Sequence, residues 1–75
     1  MIFAEFYTRG LVSGELITAC GDRSVIILDG RYSLEKNIDI AAYWCKQRNY
    51  NAFTIGKGDS FTQSKKLTGI IKVIL

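Results

Sequence analysis

Histidine and proline are absent from this chain of 75 residues, and cysteine occurs only twice. Without histidine there is no imidazole to serve as a neutral-pH base or as a nitrogen ligand for a metal. Cys20 and Cys45 are too few and too widely spaced for a closed structural zinc site, which needs four ligands in close pairs. No apolar run is longer than six residues, far below the roughly 20 that a membrane-spanning helix needs. The opening Met1-Ile2-Phe3-Ala4-Glu5 has no basic region and meets an acid at once, unlike a secretory signal. These absences predict a soluble, cytoplasmic, non-enzymatic protein with no cofactor, no metal and no membrane partner.

What is present is a composition able to build a core. Hydrophobic residues make up 48% of the chain and aromatic residues 12%, which argues against disorder. A chain this small buries only about 60% of its unfolded surface, so few apolar residues are spare. Both cysteines read as buried free thiols, Cys20 in a strand-like run and Cys45 on a helix stripe.

Charge is unevenly divided. Residues 1–39 carry four basic and six acidic side chains, whereas residues 40–75 carry six basic side chains and only Asp59 as an acid. The second half is therefore strongly basic.

Alternation predicts a strand over residues 2–9, with Ile2, Ala4 and Phe6 on one face. A glycine-bracketed turn at 10–14 leads to a second strand, Glu15 to Cys20. Gly21-Asp22-Arg23 reads as a hairpin turn into a third, Ser24 to Leu28. The three together predict an antiparallel meander, and the unbroken apolar Val25–Leu28 predicts a strand covered on both faces. One helix follows. Ser33 is its N-cap, Glu35 favours the positive end of its dipole, and Asn49 is suited to a left-handed exit. Leu34, Ile38, Ala41, Ala42 and Cys45 form one stripe toward a core. A fourth strand from Tyr50 to Ile55, a long polar basic loop at 56–69 and a last strand from Ile70 to Leu75 complete the chain. The expected fold is a small single α+β domain over residues 1–75. One helix packs on an antiparallel or mixed sheet of about five strands in the order β-β-β-α-β-β.

Catalytic patterns are weak. Gly56-Lys57-Gly58-Asp59-Ser60 lacks the spacing and following helix of a phosphate-binding loop. Glu35 and Asp39 sit one helical turn apart as a solvated face would. Ser64 beside Lys65 implies no dyad geometry. Binding signals are stronger. Tyr43 lies opposite the core stripe with Ile40 and Trp44 on its flank, so the helix is apolar nearly all round. One helix on one sheet cannot bury every side, and Tyr and Trp are hot-spot residue types. Ile70, Lys72 and Ile74 belong to a β-prone terminal strand that could pair with another chain or its own copy. The leading expectation is a small binding or regulatory module for a protein partner or a homodimer. It uses Ile40, Tyr43 and Trp44 or Ile70, Lys72 and Ile74, in the manner of bacterial or phage accessory proteins. The alternative is nucleic-acid binding through Lys46, Arg48, Lys57, Lys65 and Lys66, with Phe61 stacking on bases.

Overall fold

The computed structural model describes residues 1–73. Strand β1, Ile2–Arg9, is the spine of an antiparallel sheet. On one side it pairs with β2, Leu16–Thr18, and with β3, Val25–Leu28. On the other it pairs along most of its length with β4, Ala52–Lys57. Two short strands, β5 at Lys65–Lys66 and β6 at Ile71–Lys72, then pair with the two ends of β4. Each outer position is thus shared by two collinear short strands. The single helix α1, Leu34–Gln47, joins β3 to β4. The result is the expected α+β domain with the expected order of strands and helix.

The meander does not form. β2 and β3 both pair with β1 and not with each other. The Phe6 carbonyl accepts from Ala19 N–H at 3.0 Å, and its N–H donates to the Ser24 carbonyl at 2.8 Å. Residues 20–23 therefore leave the edge and return, with Gly21 at φ 103° making the departure possible. This places β3 at the sheet edge, where Ile27 is 67% exposed. The expected double cover over Val25–Leu28 is corrected accordingly. Cys20 is corrected too, since it lies exposed in the excursion. Its strand ends at Thr18, before the cysteine.

The even positions of β1 face the helix. Ala4 and Phe6 meet Phe53 and Ile55 of β4, Leu28 of β3, and Ala41 and Cys45 of α1 in one buried cluster. Phe6 and Tyr50 stack at 5.3 Å. Burying Phe6 and Phe53, both fully inaccessible, contributes about 1.5–3 kcal/mol each. The helix starts where Ser33 Oγ accepts from Lys36 N–H at 3.1 Å and ends with Asn49 at φ 60°. Ile38, Ala41, Ala42 and Cys45 pack inward as the stripe predicts. Leu34 does not: it is 44% exposed in the first turn. Asn37 turns inward instead, with Nδ2 donating to the Asp29 carbonyl at 3.0 Å. Residues 56–69, expected as one loop, instead continue β4 through Lys57 and then form a 3-10 turn at Phe61–Gln63 and strand β5.

Candidate functional site

The helix shows its outer flank to solvent. Tyr43 and Trp44 are 56% and 41% exposed, and Ile40 is partly buried beside them. Tyr43 projects from the side of the helix opposite Ala41 and Cys45, because 3.6 residues per turn carries it half a turn away from both, while Trp44 sits on the flank nearer Ala41. The two rings pack edge to face, with centroids 5.3 Å apart. The Arg48 guanidinium lies 5.4 Å from the Trp44 ring and fixes its inner side. Ser33, Lys36, Asp39, Ile40, Tyr43 and Trp44 line a shallow open groove of about 680 Å³ along this flank. It has an aromatic wall, an aliphatic floor and both signs of charge at its rim. Glu35, Lys36 and Asp39 supply the charges of that rim.

The remaining proposed interface residues lie elsewhere. Ile71 packs with the helix-side core, so its neighbours Ile70 and Lys72 face the other side of the sheet by strand alternation. Ile70 is 52% exposed and Lys72 is exposed. The structure therefore does not join them to the Tyr43–Trp44 flank. Ile74 lies outside the described residues. β6 is an edge element, a position the sequence leaves undecided.

The basic residues are dispersed as well. Lys46 and Arg48 sit at the helix C-terminus, near the start of β4, while Lys57 and Lys65 oppose each other at its far end. The length of β4, roughly 17 Å at about 3.3 Å per residue, separates the two groups. Arg48 is engaged: Nη1 donates to the Arg23 carbonyl at 2.8 Å, and the guanidinium lies 5.9 Å from the Phe6 ring. Lys66 Nζ donates to Glu5 Oε1 at 3.3 Å and Thr54 Oγ1 at 3.1 Å. Phe61, expected to stack on bases, packs edge-on against Phe3 at 6.2 Å. Lys46, Lys57 and Lys65 stay exposed, but they belong to two ends of the molecule.

Several features escape a reading by periodicity. Leu11 and Val12, at the tip of the β1–β2 hairpin, are fully exposed, and Ile17 beside them is 51% exposed. Two adjacent apolar residues between glycines are the signal that could have marked this tip. Exposed Ile27 had no local signal, because its exposure follows from the edge position of β3.

Titration offers little chemistry. Burial pushes the Cys45 thiol up to about 11, and its Sγ donates to the Ala52 carbonyl at 3.6 Å. It is held as a neutral thiol. The side chain of Arg31, bonded at 2.8 Å, and its backbone N–H hold the Asp29 carboxyl below the usual range. Among the described residues no group of three or more His, Cys, Asp or Glu side chains is placed to hold a metal ion, and no helix is long and apolar enough to cross a membrane. No family model, no curated protein and no solved structure matches this chain.

Proposed function

We propose that this protein is a non-enzymatic binding module that docks a protein partner on the outer flank of α1, with Ile40, Tyr43 and Trp44 as the anchors. The observation that carries this reading is the packed Tyr43–Trp44 pair, 56% and 41% exposed on a fold whose core is complete without it. Exposed aromatics cost solubility, and a pair already packed edge to face presents one continuous apolar surface to a partner. The groove beside them carries Lys36 and Asp39, so register and orientation of a bound segment come from charge while affinity comes from the rings.

The double variant Tyr43→Ala/Trp44→Ala tests the assignment. Its melting temperature should stay within a few degrees of the parent, because both side chains lie outside the buried cluster. Partners retained by the immobilised parent and identified by mass spectrometry should be lost from the variant. An unfolded variant would show that the rings hold the core, and an unchanged set of partners would remove the flank from consideration.

A further inference from the structure

Strand β3 closes the sheet on the side of β1 opposite β4, and its outer rim is open over a short section. Backbone groups alternate along an antiparallel ladder. The Phe6 N–H bond to the Ser24 carbonyl fixes the phase, so Ile26 and Leu28 aim their N–H and C=O groups at β1. Val25 and Ile27 then aim theirs outward. Just beyond each end of the strand, the protein's own side chains occupy a backbone carbonyl. Arg48 Nη1 donates to that of Arg23 at 2.8 Å, and Asn37 Nδ2 donates to that of Asp29 at 3.0 Å. Among the described residues, what remains open is the pair of N–H and C=O groups on Val25 and on Ile27. The Ile27 side chain beside them is 67% exposed on the sheet face away from the helix.

We propose that this edge pairs antiparallel with the same edge of a second copy, about a twofold axis at Ile26. The segment Arg23-Ser24-Val25-Ile26-Ile27-Leu28-Asp29 is self-complementary in that register. Val25 stands opposite Ile27 of the second copy, and Ile27 opposite its Val25, so all the open backbone groups are used. Apolar side chains meet on one face, and Arg23 meets Asp29 of the second copy at each end. A slip by one residue would set opposite faces against each other. A slip by two would put Val25 against Asp29, whose carbonyl already accepts from Asn37 and from Tyr32 N–H. Charge and hydrogen-bond register therefore both point to a second copy as the occupant. The opposite edge carries Lys65, Lys66 and Lys72, which would face their own kind in a like pairing.

The paired section is short, and its area falls below the roughly 1,600 Å² of a standard interface. The dimer is accordingly weak, with a Kd on the order of micromolar or above. An axis normal to the sheet leaves both helices on one face. Two Tyr43–Trp44 flanks then stand side by side, which favours a partner with two binding segments. The pairing itself does not depend on the function proposed for that flank.

Sedimentation velocity from micromolar to near-millimolar protein, combined with amide hydrogen exchange read by NMR, tests it. The chain should pass from monomer to dimer, and the Val25 and Ile27 amides should slow by roughly tenfold or more in the concentrated sample. Arg23→Asp alone and Asp29→Arg alone should each stay monomeric where the parent dimerises, while an equal mixture of the two should dimerise, since each arginine then meets an aspartate. Asp29 also binds Arg31 within its own chain, so Ile27→Lys, at an exposed site, is the second variant and should be a folded monomer. A parent that is monomeric throughout would overturn the proposal. So would a dimer in which Val25 and Ile27 exchange is unchanged, or one that survives Ile27→Lys and disappears in Tyr43→Ala/Trp44→Ala.

Discussion

At one edge of the sheet β3 presents Val25, Ile26, Ile27 and Leu28 with no charge among them; at the other, β5 and β6 present Lys65, Lys66, Ile71 and Lys72. Both edges are built from two short collinear strands, so strand length is not what separates them. The lysine edge is anchored from within. Leu67 N–H donates to the Ile55 carbonyl at 2.6 Å, Thr68 Oγ1 accepts from Ile55 N–H at 3.0 Å, and Ile71 and Val73 pack on the core. β3 also packs Ile26 and Leu28 on the core, but among the described residues its edge is capped only beyond its ends, by Arg48 and Asn37. A sheet edge is made unreceptive by cations and side-chain contacts, and made receptive by leaving a few backbone groups free between caps.

The largest break in this comparison should come from Gly58, where the lysine edge folds back on β4. A Cβ there would lie 2.7 Å from Ser64 Cα and 2.8 Å from the Gln63 carbonyl oxygen. Gly58→Ala should cost about 2–3 kcal/mol in urea unfolding and loosen the 3-10 turn and β5, read as faster exchange of the Leu67 and Thr68 amides. Thr68→Val removes the acceptor for Ile55 N–H while keeping the side-chain shape. With Ile55 fully buried, the orphaned donor should cost about 1–2 kcal/mol by the same assay. Lys72→Val should alter stability by less than about 0.5 kcal/mol but convert the closed edge into a second receptive one, seen as larger species in light scattering.

The last test uses the two thiols as reporters. Cys20, exposed beside the open edge, should react with a thiol reagent in the folded protein, while Cys45, buried beneath β4, should react only through unfolding. The native Cys45 thiol titrates at about 11 against an ordinary 9.0, so the folded state keeps a proton that the unfolded state gives up. Its contribution to stability is complete below pH 9 and is lost as pH rises toward about 11. Cys45→Ala should flatten the stability profile across that window.

Local signals are legible where the chain satisfies its own backbone. Ser33 caps the helix and Asn49 leaves it at φ 60°, as their side chains and position imply. The stripe from Ile38 to Cys45 goes inward because periodicity alone gathers those residues on one face. The Tyr43–Trp44 flank was legible for the same reason. Long-range pairing was not. Gly21-Asp22-Arg23 has the residues of a hairpin turn, yet β2 and β3 both turn their bonds to β1. Phe61 and Lys66 look like free nucleic-acid contacts until Phe3, Glu5 and Thr54 occupy them.

The sequence by itself determined the α+β class, the order of elements, both ends of the helix and which of its faces is buried. These follow from side-chain period and from hydrogen bonds between residues a few positions apart. Only the tertiary structure decided that β3 is an edge strand with Ile27 exposed, that Cys20 lies outside, and that the basic residues divide between two ends of β4. The physical reason is common to all three. A strand's donors and acceptors lie in the plane of the sheet and are satisfied only by another strand, so which strand answers them depends on the whole chain and not on the residues that carry them.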